Sequence, residues 1–305
     1  MNTHRSRWTQ AQLPTMTDKT VLVTGGASGI GFQAARALAG CGARVVVLGR
    51  DGAKGNAAVA QIKGRSPGAI VEFQQVDLGS LASIEAFSQG WLASGEPIHL
   101  LLNVAGVMAV PRREATPDGF EMHMGTNFLG HFALTGRLLP ALRSGNARVV
   151  TVSAAVGRWK MARLDPDDLQ AERRKYSPMG AYARSKLAGI MFAVELQRHA
   201  KDWGVTSVAV DPGTAVTNLQ RHASGVSGAV GTLLSTAMGY PWSAWRRTRS
   251  SPRSCRCPPR APSLVLLRGT SSNVARRLET SASHRSRRTR AFAKPCGRRP
   301  RRSPA

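Results

Sequence analysis

Short runs of branched apolar residues alternate with longer helical patterns between Lys19 and about Val210, and this alternation limits the fold more than any other feature. The runs are rich in Val, Ile and Leu and lack polar alternation, which is typical of parallel strands buried on both faces. Repeated β-α-β units with right-handed crossovers build a doubly wound parallel sheet. We therefore predict an α/β, Rossmann-like fold in a single domain.

The chain has 305 residues, which is ample for the core of one such sheet. The predicted strands are Thr20–Thr24, Arg44–Leu48, Ile70–Gln75, Ile98–Leu102, Arg148–Val152 and Thr206–Val210. The predicted helices are Gly31–Gly40, Ala53–Lys63, Ser80–Ala93, Pro117–Leu142 and Met179–Trp203.

Basic residues are concentrated at the end of the chain. Residues 246–305 carry 18 of the 43 Lys and Arg residues and one of the 17 acidic residues, a net charge of +17 out of +26. Arg, Ser, Pro and Ala dominate there, so we predict a disordered tail after an N-terminal arm (1–18) and a folded domain (19–245). The abrupt change also suggests a frameshift near residues 240–250. Resequencing that junction tests this hypothesis, which fails if no other reading frame completes the fold.

A glycine-rich turn joins the first predicted strand to the first helix. It contains Gly25, Ser28, Gly29, Ile30 and Gly31, in the pattern Gly-x-x-x-Gly-x-Gly. Glycine permits positive φ and lets the backbone approach a pyrophosphate, while the N–H groups at a helix start favour phosphate charge. Such turns also serve structure alone, but the position after a first strand favours a dinucleotide site.

Arg50 follows the second predicted strand, nineteen positions after Gly31. An acidic residue at this point binds the adenosine ribose of NAD, whereas a guanidinium can pair with the 2′-phosphate of NADP. The sequence therefore favours NADP over NAD. Two alternatives stay open. In one, Asp51 is the acid that binds the ribose; in the other, Arg50 only faces solvent at the end of the strand.

Residues at two further strand ends extend the expected cofactor site. Asp77 and Leu78 follow the third strand, where Asp77 either contacts the adenine or begins a turn. Asn103, Ala105 and Gly106 end the fourth strand, where small residues let a cofactor lie over the sheet edge. Ligands of open α/β sheets bind at this edge.

Tyr182 and Lys186 are four residues apart in a predicted helix, so their side chains share one face. Carbonyl reduction requires a hydride at carbon and a proton at oxygen, and a nearby ammonium favours the phenolate and lowers the pKa of a phenol. Ser153, just after the fifth strand, can donate a hydrogen bond to the substrate oxygen. Each feature is weak alone, but together with the glycine turn they predict an oxidoreductase.

The order of these motifs resembles the short-chain dehydrogenase/reductase family from about Lys19 to residue 220. The resemblance implies that Tyr182 is the acid/base and that Lys186 also holds the nicotinamide ribose. It further implies that Asn127 supports a water-linked proton relay, although Asn127 by itself indicates helix packing. It adds Pro212, Gly213 and Thr217 to the cofactor site, and it implies dimers or tetramers built on the long helices.

Two features narrow the resemblance to retinol-dehydrogenase-like and protochlorophyllide-reductase-like members. Twenty-nine positions separate Ser153 from Tyr182, and the segment between them contains Leu164–Gln170 and Tyr176. The N-terminal Arg7–Thr9 is also similar to that subgroup. The resemblance implies a small-molecule alcohol or carbonyl substrate, and an apolar lid at 224–240 favours a hydrophobic one.

Other classes of function are less well supported by the sequence. We expect a cytoplasmic protein without a secretory signal or a membrane span, because no long apolar run occurs. Cys255-x-Cys257 is too little for a metal site. The alternatives are an inactive NADP-binding protein and a nucleic-acid-binding protein that uses its basic tail. A sugar-nucleotide epimerase would need a larger C-terminal domain.

Overall fold

The computed structural model describes residues 10–213, and these form a six-stranded parallel sheet flanked by helices. The strand order is β3-β2-β1-β4-β5-β6. The order reverses between β1 and β4, which are hydrogen-bonded neighbours. This confirms the predicted doubly wound fold. The arm at 7–9, Thr217, the lid at 224–240 and the basic tail lie outside the described residues.

The strands in chain order are β1 (Thr20–Thr24), β2 (Arg44–Gly49), β3 (Val71–Gln75), β4 (Leu100–Asn103), β5 (Arg148–Val152) and β6 (Thr206–Val210). The α-helices are α1 (Gly29–Ala39), α2 (Gly52–Arg65), α3 (Leu81–Ser94), α4 (Gly130–Arg137), α5 (Leu139–Ser144) and α6 (Pro178–Ala200). A π-helical turn, Met124–Leu129, leads into α4. Short 3-10 helices cover Gln10–Gln12, Ala155–Arg158, Lys160–Ala162, Pro166–Asp168 and Lys201–Trp203.

The predicted long helix over Pro117–Leu142 is wrong. Its first part is a turn closed by an antiparallel bridge between Ala115 and Glu121, with Gly119 at φ +83°. Its last part breaks between α4 and α5, where Pro140 falls in the first turn of α5 and has no N–H to continue the preceding helix. The apolar periodicity predicted the helical character but not these interruptions.

The central strands β1, β2 and β4 are apolar on both faces because two hydrophobic clusters lie on opposite sides of the sheet. In β1, Leu22 packs in the cluster with α4 residues such as Leu134. Its neighbours Val21 and Val23 pack in the other cluster, with Phe32 of α1. Side chains alternate between faces along a strand, so double burial removes the polar alternation from the sequence. None of the helices within residues 10–213 is long and apolar enough to cross a membrane.

Gly130 lets α4 lie directly on the loop after β3. A Cβ at this position would be 2.2 Å from the backbone oxygen of Leu78, a distance that real contacts do not reach. Gly136 lies in the same helix with nothing within 4 Å of a built Cβ. Replacing Gly130 therefore tests a steric requirement, whereas replacing Gly136 tests helix propensity alone.

We expect Gly130→Ala to lower the free energy of unfolding by about 1–3 kcal/mol, because the helix must move away from the Leu78 carbonyl. Gly136→Ala, the matched control, should raise it by up to about 1 kcal/mol through helix propensity. Urea unfolding of both variants measures the difference. Equal effects of the two substitutions would contradict this packing.

Candidate active site

A cleft of about 610 Å³ lies at the carboxyl ends of the strands, where the strand order reverses. Most of the predicted site residues line it, namely Gly25, Ser28, Gly29, Ile30, Gly31, Arg50, Asp77, Leu78, Ala105, Gly106, Ser153, Tyr182, Lys186, Pro212 and Gly213. The fold therefore brings residues separated by almost 190 positions to one edge of the sheet, as parallel topology requires. Asn103 and Asn127 do not line the cleft, and Thr217 is outside the described residues.

The glycine turn is folded tightly beneath one end of the cleft. Gly25 and Gly29 have φ of +66° and +54°. A Cβ on Gly25 would be 2.9 Å from Cα of Ala105, and one on Gly31 would be 2.5 Å from the Gly25 oxygen. Ser28, the residue before α1, makes no side-chain hydrogen bond to the helix start. The first N–H groups of α1 thus have no side-chain cap, which suits a phosphate group.

Arg50 and Asp51 differ in whether their side chains have hydrogen-bond or ion-pair partners in the protein. The Asp51 carboxylate accepts a hydrogen bond from the backbone N–H of Lys54 and also contacts the Lys54 ammonium. The side-chain hydrogen bond from Lys54 is the main reason that the pKa of Asp51 lies below its ordinary value. Within residues 10–213 the exposed Arg50 guanidinium has neither an ion pair nor a hydrogen bond. Asp51 serves as a helix cap, and the guanidinium is free to bind an anion.

Asp77 begins a turn and lines the cleft at the same time. Its Oδ1 accepts a hydrogen bond from Gly79 N at 2.8 Å. This bond is typical of an aspartate that begins a turn, and it leaves Oδ2 without a hydrogen-bond partner among the described residues. The turn therefore fixes the Asp77 carboxylate in the lining of the cleft.

Asn103 is not among the residues that line the cleft, and its expected contact with a cofactor stays a prediction. Its side chain points into the protein and donates a hydrogen bond to Thr135 Oγ1 at 3.2 Å. Only 1% of its surface is exposed. Asn103 is the last residue of β4, and the two residues that follow the strand, Val104 and Ala105, line the cleft.

Lys186 is buried beside Tyr182, with 6% of its surface exposed. Its ammonium donates a hydrogen bond to the Val152 carbonyl at 3.0 Å and lies 5.7 Å from the centre of the Tyr182 ring. Burial lowers the pKa of Lys186 to about 8. The ammonium is thus held between the end of β5 and the phenol ring, as the four-residue spacing predicts.

The expected lowering of the Tyr182 pKa is contradicted. Burial, with the negative charge of Asp211 as a second cause, raises the pKa of Tyr182 to about 12. Lys186 lies over the ring and donates to Val152, so its charge does not offset the loss of solvent around the phenol. The phenol accordingly keeps its proton at neutral pH.

Ser153 is buried between β5 and α6, with its hydroxyl donating to the Lys186 carbonyl at 2.9 Å. This bond ties the serine to the residue whose ammonium lies beside Tyr182. The Ser153 oxygen can still accept a hydrogen bond, but donation to a substrate oxygen requires the hydroxyl to rotate away from Lys186.

Asn127 lies in the π-helical turn and supports the cleft from behind. Its Oδ1 accepts from Val107 N at 2.7 Å, and its Nδ2 donates to Val107 O and to Ser185 Oγ, both at 3.0 Å. A Cβ on Gly106 would be 2.9 Å from the same Oδ1. This amide is fully engaged in packing, the role that Asn127 indicates when considered alone.

Sequence reasoning missed Thr24 and His131, which join two turns of the cleft. Thr24 Oγ1 accepts hydrogen bonds from Val104 N and Ala105 N. His131 Nδ1 lies 3.0 Å from the Asn127 carbonyl, so it carries the proton, and Nε2 accepts from Thr24 Oγ1 at 2.9 Å. Complete burial lowers the pKa of His131 to about 4. The sequence identifies His131 only as a histidine in a predicted helix, because its partner Thr24 is 107 residues away.

Comparison with known proteins shows that the chain is similar to dehydrogenases. The family model described as short chain dehydrogenase matches residues 19–165. Polyprenol dehydrogenase of Mus musculus is 47% identical over 70% of this chain and 65% of its own length, and retinol dehydrogenase 12 of Homo sapiens is 43% identical over 71% and 66%. The chain thus spans just under two thirds of these relatives. A short chain dehydrogenase of Shigella flexneri complexed with NADP is 25% identical, with a TM-score of 0.56 and coverage of 70% of this chain and 83% of its own.

The buried His131 makes stability depend on pH. An unfolded histidine takes up a proton near pH 6.5, whereas the folded protein resists protonation until about pH 4. The stability that His131 contributes is therefore complete above pH 6.5 and is lost as the pH falls toward 4. We expect this loss to be about 2–3 kcal/mol and to be absent from His131→Gln.

Urea unfolding between pH 7 and pH 4 measures the effect. His199→Gln is the control, because His199 lies on the exposed side of α6 beside Glu195. It should keep the wild-type pH dependence. If His131→Gln keeps it as well, His131 is not the buried neutral group described above.

Proposed function

This chain belongs to the short-chain dehydrogenase family, and on that premise we propose that it is an NADP-dependent oxidoreductase acting on an alcohol or carbonyl group. One observation carries the proposal: Tyr182, Lys186 and Ser153 line the same cleft as the glycine turn. A dinucleotide on the turn and a proton-transferring group beside it are the two requirements of hydride chemistry on a carbonyl.

The residues of the cleft fit a dinucleotide. The glycine turn lacks the Cβ atoms that would fill the space in front of Ala105, and α1 begins without a side-chain cap. At the other end, the buried Lys186 ammonium has one acceptor, Val152 O, within the described chain, so ribose hydroxyls would satisfy its remaining N–H groups. When bound, the nicotinamide supplies or accepts the hydride.

The choice of NADP rests on the contrast between Arg50 and Asp51. Asp51 is committed to Lys54 and the start of α2, which weakens the case for a ribose-binding acid and hence for NAD. Arg50 is exposed beside the glycine turn and lines the cleft. A guanidinium there can pair with the 2′-phosphate that distinguishes NADP.

The proton chemistry favours reduction of a carbonyl. With a pKa raised to about 12, Tyr182 holds its proton at neutral pH and can donate it to an oxygen that gains negative charge. Lys186, with a pKa of about 8, is mostly charged below that pH, and its charge reduces the cost of the phenolate left behind without fully offsetting the burial of the phenol. The Ser153 hydroxyl orients the substrate oxygen, and Asn127 acts by fixing Val107.

The substrate part of the cleft favours an apolar compound. Val107, Met108, Val156 and Trp159 line it, and Trp159 is 54% exposed although its indole is large and apolar. Two of the relatives are named for polyprenol and retinol, which are apolar alcohols. A hydrophobic small-molecule substrate, a cytoplasmic location and a homo-oligomer complete the proposal.

Tyr182→Phe removes the proton donor and keeps the ring. We expect the rate of NADPH-dependent reduction of apolar aldehydes and ketones to fall by about 10²–10⁴-fold, with NADPH binding within a few-fold of wild type. Turnover is followed by loss of NADPH absorbance and binding by fluorescence titration. Full turnover in the variant would refute the mechanism, whereas binding without turnover in the wild type would indicate the inactive NADP-binding alternative.

Arg50→Ala tests the choice of cofactor. We expect the Kd for NADPH to rise about 10- to 100-fold, because one charge-assisted contact to the phosphate is lost, while the Kd for NADH stays unchanged. Arg65→Ala, an exposed arginine in the last turn of α2, is the control and should alter neither value. An equal loss of affinity for both dinucleotides would contradict the proposed role.

A further inference from the structure

We propose that Tyr176 and His123 are positioning residues that clamp the backbone of Val110 and so fix the wall of the substrate cleft. We call Tyr176, His123 and Glu121 the Val110 latch. Tyr176 comes from the long segment between Ser153 and Tyr182, whereas His123 and Glu121 lie just before the π-helical turn. The inference rests on the proposed function, since the wall matters only if a substrate binds there.

The wall is the loop of residues 107–110, which follows β4. Val107 and Met108 line the cleft, and Val110 is 3% exposed. Ala109, between them, has φ of +54°, a left-handed conformation that is unfavourable for a residue with a Cβ. A loop with this backbone cost keeps its shape only if the surrounding contacts determine it.

Side chains hold the loop at both of its ends. Asn127 binds the N–H and the carbonyl of Val107, as described above. At the other end, Val110 N donates to His123 Nε2 at 3.3 Å, and the Tyr176 hydroxyl donates to Val110 O at 3.1 Å. Both polar groups of each residue are thus bonded to side chains rather than to a neighbouring strand.

Glu121 fixes the orientation of the His123 ring. Because Nε2 accepts from Val110, the ring proton lies on Nδ1, which donates to Glu121 Oε1 at 2.8 Å. Burial opposes charge on Glu121, but hydrogen bonds from the side chain and backbone of His123 and from Met124 N outweigh it and hold the pKa of the carboxylate below its ordinary value. Glu121 and His123 are 2% and 0% exposed, so the arrangement is sheltered from water.

The latch also joins the wall to the long segment and to Tyr182. Glu121 N donates to Gln170 Oε1 at 2.7 Å, and Arg113 Nε donates to Gln170 O at 3.0 Å, so the long segment is also bonded to the latch and to the chain just after the wall. The His123 ring packs edge-on against Tyr182, with centroids 6.1 Å apart. Movement of the latch would therefore change the cleft wall beside the proposed proton donor.

Tyr176→Phe tests the latch by removing one hydroxyl while keeping the ring. Loss of a hydrogen bond to a buried carbonyl should raise KM for an apolar aldehyde about five- to tenfold, with kcat and the Kd for NADPH within twofold of wild type. Hydrogen–deuterium exchange should be faster in the peptide that contains residues 107–110. Lys175→Ala, at the exposed neighbouring position, should change neither KM nor exchange.

The outcomes separate this inference from the proposed function. An active Tyr176→Phe enzyme with unchanged KM overturns the latch. A variant in which kcat, NADPH affinity and melting temperature all fall while KM rises also overturns it, because that result indicates a general structural role. If the wild type binds no NADPH or turns over no carbonyl compound, the proposed function fails. Exchange at 107–110 then decides whether Tyr176 clamps the loop, because it requires no substrate.

Discussion

The site depends on a buried ammonium at the carboxyl edge of a parallel sheet. Lys186 is held there by the Val152 carbonyl, and α6 places its charge against the Tyr182 ring. Removing an ammonium from water is costly unless acceptors replace the water, and burial accordingly lowers the pKa of Lys186 to about 8. The same burial raises the pKa of Tyr182 to about 12. Ribose hydroxyls at Lys186 would favour its charged form and reduce the cost of forming phenolate at Tyr182.

Around this pair, side chains rather than regular structure hold the turns of the cleft. The Thr24 hydroxyl bonds the turn after β4, Asn127 bonds Val107, and the Val110 latch bonds the end of the same loop. Each interaction satisfies backbone groups that no strand partner reaches. These bonds cross-link the turns of the cleft, and fixed positions of the reacting groups lower the cost of reaching the transition state.

The sequence was sufficient for the sheet and for most of the cleft lining. Strand signals are local, so β1, β5 and β6 have the predicted bounds, and the glycine turn and the Tyr182–Lys186 spacing are local as well. The sequence did not predict the long-range contacts. Nothing near Asn103 indicates that its side chain turns toward Thr135, and the partner of His131 is 107 residues distant. The opposing effects of burial on Tyr182 and Lys186 likewise depend on packing that periodicity does not encode.

Calorimetric titration with NADPH tests the central claim most directly, because it needs no knowledge of the substrate. We predict that one NADPH binds per chain, with affinity lowered at least about tenfold in Lys186→Met, where the N–H donors to the ribose hydroxyl oxygens are lost. Lys175→Met, an exposed lysine outside the cleft, should bind as wild type does. No binding by the wild-type protein, or equal binding by the Lys186→Met variant, would contradict the account.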